Sequence, residues 1–191
     1  MSGISHTSDE AEAPLKGAML WLTAIMLAST MAAAQAPVPY LWKLPEQLKY
    51  VFPEATSFSD KEGNPPHFKA YVTDGRTTEP VLAGYVFWTT ELEPLERGYD
   101  GPIKMLVGMD LTGRLTNVLV VDHHEPYGYF SVESAQFAAQ FHNKSIRDAF
   151  RVGSDVDAIS RATITMTSAS RAIKNSARRM ARQYLSPEDL K

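Results

Sequence analysis

Apolar and polar residues alternate along the middle of the chain in a way that is typical of β-strands. Between residues 103 and 110 every second residue is apolar: Ile103, Met105, Val107 and Met109. Aromatic and β-branched residues predict further strands at 68–73, 81–90 and 114–122. The last two strands are joined by a short turn ending in Gly113, where positive φ is usually required. Short turns join antiparallel neighbours, so we expect an antiparallel meander.

After the strands the pattern takes a helical period. Helices are predicted at 131–143, capped by Ser131, and at 145–151, ended by Gly153. A longer helix begins at Thr163 and has one apolar and one basic face. The apolar face comprises Met166, Ala169, Ile173, Ala177, Met180 and Tyr184, and the basic face comprises Arg171, Lys174, Arg178 and Arg182. Strands followed by helices predict an α+β fold, an antiparallel sheet packed by helices.

The N-terminal part contains an uncharged run from 17 to 36, long enough to cross the hydrocarbon core of a bilayer. The run ends in small residues of the A-x-A type that precede signal-peptidase cleavage. We favour export with cleavage after Ala34 or Ala36 over a retained membrane anchor, although Pro37 argues against the second position. Both interpretations leave the rest of the chain in the periplasm of a bacterium.

These patterns divide the chain into four segments. They are a signal peptide or anchor at 1–36, a lead-in at 37–67, a folded domain at 68–185 and a tail at 186–191. The lead-in contains a candidate helix at 45–51. Residues 57–67 are predicted to form a loop because glycine, asparagine and two prolines occur together there.

Charge and cysteine content exclude several function classes. With 19 basic and 22 acidic side chains the net charge is −3, so nothing indicates binding to nucleic acid. Cysteine is absent, which excludes disulfides, thiolate metal sites, iron–sulfur clusters and cysteine nucleophiles. If the protein moves electrons, it needs a bound cofactor to do so.

Asp157 stands six residues before Thr163, the first residue of the long predicted helix. Two interpretations of this segment are open. Ser160 or Thr163 could cap the helix, as serine and threonine often do. Alternatively, the free amides and positive dipole end of the helix could hold a phosphate attached to Thr163.

The segment Asp157-x-x-Ser160-Arg161-Ala162-Thr163 resembles the flavinylation motif of the FMN-binding domain family, Asp-x-x-Ser/Thr-Gly-Ala-Thr. In that family a flavin transferase esterifies the last threonine with the phosphate of FMN. Further matches occur in the family's order at 84–87, 98–103, 107–110, Gly113 and 123–126, and the resemblance covers about 48–185. The His-His-Glu-Pro sequence at 123–126 is most similar to the N-terminal flavin domain of NosR/NirI proteins of nitrous oxide respiration.

The resemblance implies an FMN site, with covalent attachment on Thr163. It also implies that the loops 98–102 and 122–130 lie beside the flavin. The residues that it assigns to FMN are Thr163, Asp157, Ser160, Arg161, Ala162, Gly98, Tyr99, Gly101, Pro102, His124 and Glu125. Arg161 departs from the family's glycine and could pair with the phosphate or obstruct the transferase.

A metal site at His123-His124-Glu125 is a weaker alternative, because adjacent residues on a strand point to opposite faces. The favoured function is a periplasmic electron carrier that is matured by a flavin transferase and serves a membrane-bound or periplasmic redox complex. A flavin-free accessory subunit of a membrane respiratory complex is the alternative. In either case the basic residues of the last helix are expected to form a docking surface that includes Arg178 and Arg182.

Overall fold

A five-stranded antiparallel sheet forms the centre of the fold, as the alternating pattern predicts. The strands follow one another in space in the order β1-β2-β3-β4-β5. They are β1 (Ser57–Phe58), β2 (Phe68–Thr73), β3 (Pro80–Trp88), β4 (Lys104–Asp110) and β5 (Leu115–Asp122). Gly113 in the turn between β4 and β5 has φ of 76°, which confirms the glycine turn. The meander and the α+β class are therefore confirmed.

The computed structural model describes residues 41–73 and 79–186. The predicted signal peptide or anchor and the residues of the predicted tail beyond Ser186 lie outside these ranges. Within them, no helix combines the length and the apolar character that a bilayer crossing needs.

Helices cover both faces of the sheet. They are α1 (Leu44–Val51), α2 (Thr89–Leu92), α3 (Ala135–Ala139) and α4 (Thr163–Tyr184). On one face, α4 and α3 pack on alternate residues of β3, β4 and β5, with Phe87, Met105 and Ile173 fully buried. On the other face, α1 packs on the intervening residues, including Leu106.

Strand β4, which lies between β3 and β5, shows the consequence of this layering. Met105 to Met109 are all buried, so the strand has no solvent-facing side. Apolar and polar residues alternate less sharply in β4 than in a strand with one solvent-exposed face, because both faces of β4 need apolar or small residues. The predicted lead-in supplies the second layer: the helix expected at 45–51 is present as α1, whereas Ser57–Phe58 forms an edge strand where a loop was predicted.

The two helices predicted before α4 are largely wrong. Helix 131–143 is reduced to α3, and its cap is Ser134, whose hydroxyl accepts the Phe137 N–H at 3.1 Å. The cap predicted at Ser131 is also wrong, since its hydroxyl donates to the Tyr127 carbonyl at 2.8 Å.

No helix forms at 145–151. Phe150 is buried there at φ of 53°, a left-handed conformation that a right-handed helix excludes. The Asp155 carboxylate stabilises this bend by accepting the N–H groups of Phe150 and Arg151 at 2.8 and 2.5 Å. A chain that turns in this way brings Phe150 into the core beside Phe141.

Candidate functional site

The start of α4 is the first component of the site. Thr163 is the first residue of this 22-residue helix, as predicted, and its side chain is exposed. The preceding residue, Ala162, is buried and has the non-helical φ of −121° that marks the N-cap. Alanine has no side-chain acceptor, and neither Ser160 nor Thr163 caps the helix. The capping interpretation of these two hydroxyls is therefore wrong.

An uncapped helix start is suited to an anion. The first-turn N–H groups have no intrahelical acceptor, and no side chain among the described residues accepts them. The aligned peptide dipoles of a helix also place positive partial charge at this end. A phosphate beside Thr163 would therefore find hydrogen-bond donors and a favourable potential.

Arg161 explains how the chain turns into the helix. Its φ is 70°, in the left-handed region that glycine adopts with least strain. This is the position where the resembled motif has glycine. The departure at Arg161 therefore leaves the backbone turn in place, and Arg161 makes no hydrogen bond or ion pair with another described residue.

Arg161→Gly is expected to stabilise the protein by about 0.5–1 kcal/mol. Relief of left-handed strain, about 1–2 kcal/mol, outweighs the greater freedom of glycine in the unfolded chain. Urea denaturation of both proteins measures the difference. Arg161→Asn is the matched control, since asparagine tolerates this conformation and also lacks the charge. A loss of stability in the glycine variant would mean that the guanidinium makes a stabilising contact.

The second component is the loop that precedes β4. Tyr99 and Asp100 donate their backbone N–H groups to the two carboxylate oxygens of Glu125, at 3.1 and 2.9 Å. Glu125 is 6% exposed and follows β5. Its carboxylate also accepts the hydroxyl of Thr165 in the first turn of α4. One buried carboxylate thus joins the loop, the end of β5 and the start of the long helix.

Exposed apolar and aromatic side chains lie on the segments that Glu125 joins. Tyr99 is 69% exposed, Ile164 is 58% exposed, and Tyr127 is also exposed. Exposed large apolar side chains on segments that share one buried carboxylate make this part of the surface a candidate for ligand binding. Together with the free helix start, they provide a polar end and an apolar side for a ligand.

The family comparison covers all these elements. Residues 98–180 match the model of the FMN-binding domain. This segment is therefore similar to the FMN-binding domain family. No curated protein matches the chain. The matched segment begins at Gly98 and contains Glu125, Arg161 and Thr163, so FMN is supported as the ligand of the geometry described above. The narrower likeness to NosR/NirI proteins stays a prediction.

The residues of the matched segment fit this ligand. The phosphate of FMN matches the uncapped amides at Thr163, and the flavin ring matches the exposed aromatic and apolar side chains, Tyr99 and Tyr127 among them. A cleft of about 690 Å³ lies away from Thr163 and Glu125, on the side of the sheet that α1 covers, and is lined by α1, Trp88 and Lys104. Chemistry rather than cavity size locates the site.

The other predicted FMN residues differ in position. Gly101 has φ of 127°, and Gly98 donates its N–H to the Gly101 carbonyl at 2.7 Å, so both shape the loop. Pro102 and His124 are exposed and make no hydrogen bond to Glu125 or Thr165. The backbone N–H of Asp157 donates to Gln140 Oε1 at 2.5 Å, and its exposed side chain makes no hydrogen bond with Thr163.

Both ring nitrogens of His123 have partners within the protein. Its Nδ1 accepts the Glu125 N–H at 3.0 Å, and its Nε2 lies 2.8 Å from Glu133 Oε1. Its ring lies so close to Gly128 that a Cβ there would approach Nε2 to 2.7 Å. Within 41–73 and 79–186, no three His, Asp or Glu side chains are grouped in a way that could hold a metal ion.

The basic face of α4 is largely engaged with the domain itself. Arg171 pairs with Glu96 at 2.6 Å. Three other basic side chains donate to backbone carbonyls: Lys174 to Ala149, Arg178 to Ile146 and Asp148, and Arg179 to Leu92. These contacts fasten α4 to the loop at 146–149 and to the end of α2. Arg182 is exposed and has no such contact among the described residues.

Stability should fall in acid partly through Glu96. Hydrogen bonds from Arg171, and secondarily from Ser168, lower the pKa of this carboxyl below its usual 4.5. The ionised form is favoured by folding, so its contribution is complete above the usual pKa and is lost as pH falls through the lowered value. We expect unfolding free energy to depend less on pH below about 5 in Glu96→Gln than in the wild type. Urea titrations from pH 6 to 3 measure both slopes, and equal slopes would contradict the assignment.

Sequence reasoning did not identify Thr165 as part of the site. A signal was available: Thr165, Ser168, Ala172 and Ser176 recur at helical spacing beside the apolar stripe, and all are buried. Small polar residues at core-facing positions indicate that another segment packs closely against the helix. The partner, Glu125, lies 40 residues away and could not be identified from spacing.

Proposed function

We propose that this FMN-binding domain carries FMN as a phosphoester on Thr163 and acts as a periplasmic electron carrier. The observation that carries the proposal is the exposed Thr163 hydroxyl at the uncapped start of a 22-residue helix. The family match supports FMN itself. The rival hydroxyl of Thr165 is 4% exposed and donates to Glu125, which argues against attachment there.

Attachment requires a transferase and a flavin donor with a pyrophosphate. The Thr163 oxygen forms a bond to the phosphorus of the FMN moiety, and the pyrophosphate P–O bond breaks. The leaving phosphate takes the electron pair, and the hydroxyl proton passes to solvent or to a base of the transferase. No oxidant is needed because the oxidation states of all atoms are unchanged.

The residues of the domain have distinct roles in this proposal. The first-turn amides of α4 hold the phosphate, while Arg161, two residues before Thr163, adds a positive charge. The exposed aromatic side chains shield one side of the ring from water. FMN, when bound, accepts and donates electrons at its ring. The chain contributes orientation and electrostatics.

The proposal for location and partners is supported by the sequence. The uncharged run at 17–36 supports export, with or without retention in the membrane. An exported carrier would exchange electrons with a membrane-bound or periplasmic redox complex. Arg171 is paired with Glu96, whereas Lys174, Arg178 and Arg179 donate to neutral backbone carbonyls and keep their positive charge. Electrostatic docking would therefore depend on these three side chains together with the exposed Arg161 and Arg182.

The test is flavin content after export. Wild-type protein produced with its N-terminal segment and a flavin transferase is expected to show flavin absorption bands that persist after denaturation and gel filtration. Protein produced without the transferase is the control and should lose any flavin on denaturation. Colourless protein from cells with a transferase of proven activity would favour the flavin-free accessory subunit.

A further inference from the structure

The Glu125 carboxylate is an unusual buried charge. It is 6% exposed, and within the described residues no lysine, arginine or histidine side chain pairs with it. Its donors are the N–H groups of Tyr99 and Asp100 and the hydroxyl of Thr165. A buried carboxylate is costly unless its oxygens are hydrogen-bonded, so the loop and the helix must keep these donors in place.

Gly98 shows how closely the loop surrounds this carboxylate. A Cβ at this position would lie 2.7 Å from Glu125 Cδ, and nearer still to Oε1. The loop backbone is therefore in direct contact with the carboxyl group. Since the Cβ would meet a carboxylate held by three donors, Glu125 has little freedom to move aside.

We infer that Glu125 is a positioning residue for flavin attachment, and that it fixes the loop containing Tyr99 against the first turn of α4. This inference rests on the proposed function of Thr163. It differs from the expectation that Glu125 binds FMN, because all three hydrogen bonds of its carboxylate go to the protein. The same carboxylate engages the Thr165 hydroxyl, so Thr163 carries the exposed hydroxyl of the first turn.

The role of Glu125 in fixing the loop against α4 can be tested without FMN. Hydrogen exchange of the Tyr99 and Asp100 amides in the unloaded protein is expected to be about tenfold faster in Thr165→Val and in Glu125→Gln than in the wild type. Thr165→Val removes one donor with little change in shape. Glu125→Gln replaces one acceptor oxygen with an NH₂ group, which cannot accept an N–H. Thr165→Ser keeps the hydroxyl and should restore protection.

Glu133→Gln is the matched control, because Glu133 is exposed, hydrogen-bonds to His123 and makes no hydrogen bond with Tyr99, Asp100 or Thr165. Wild-type exchange rates in both Thr165→Val and Glu125→Gln would contradict the claim that Glu125 fixes the loop against α4, whatever the result for flavin loading. Wild-type rates in Glu133→Gln are expected. Rapid exchange in Glu133→Gln as well would mean that the whole region opens and would overturn a specific role for Glu125.

Flavin loading supplies the second measurement. With a flavin transferase, kcat/KM for attachment to Thr163 is expected to fall about tenfold in Thr165→Val, and to be wild-type in Thr165→Ser and Glu133→Gln. Equal loading of Thr165→Val and wild type would overturn the positioning role while leaving the proposed function intact. Failure of the wild type to acquire flavin would overturn the proposed function. Hydrogen exchange would still decide whether Glu125 fixes the loop against α4.

Discussion

Thr163→Ala is expected to abolish covalent attachment of FMN. The substitution removes the only exposed hydroxyl in the first turn of α4, where free amides and the helix dipole favour a phosphate. Intact-mass measurement of protein produced with the transferase should show wild type heavier by one FMN less water, and the variant at its unmodified mass. Because Thr163 is exposed, we expect the free energy of unfolding of Thr163→Ala to differ from that of the wild type by no more than about 0.5 kcal/mol.

Two controls make this result specific. Thr163→Ser keeps an acceptor oxygen and should still be modified, whereas Thr167→Ala removes the next exposed hydroxyl on the helix and should load normally. Tandem mass spectrometry locates the adduct in each protein. An adduct on Thr165 or Thr167 in wild type would show that the assignment of Thr163 is incorrect.

Gly108→Ala is expected to destabilise the fold by about 3 kcal/mol. Gly108 lies in β4 beneath a hydrogen bond from the Thr116 hydroxyl to the Val51 carbonyl, which joins β5 to the end of α1. A Cβ would overlap both oxygens and would lie 3.1 Å from the Val51 carbonyl carbon. Backbone cannot rotate away as a side chain can, so α1 would have to shift from the sheet. Urea denaturation measures the loss.

Gly153→Ala is the matched control for this substitution. Gly153 has φ of 82° but no atom within 4 Å of a Cβ, so only backbone strain opposes the methyl group. The expected cost is about 1 kcal/mol. If Gly108→Ala cost no more than Gly153→Ala, close packing of α1 on β4 would not be the reason for glycine at 108.

Periodic patterns determined most of the elements. Alternation at 103–110 and the aromatic and β-branched residues of the other three segments located the four long strands, because such residues fit the pleated surface of a sheet. The long helix was equally clear, since Met166, Ile173 and Met180 repeat at the spacing of one helix face. Short elements were not: the helix expected at 145–151 is absent, because the burial of Phe150 at positive φ depends on Asp155 and the core beyond it.

For the site, the sequence by itself determined the position of Thr163 at a helix start and the resemblance of its motif to an FMN-binding family. Both features depend only on residues that are close together in the chain. Only the tertiary structure decided that Arg161 adopts the turn where the motif has glycine, and that Arg178 bonds within the domain. It also decided that Glu125 joins Thr165 to the loop at Tyr99. These contacts link residues far apart in the chain, and a hydrogen bond between distant segments leaves no periodic trace in either of them.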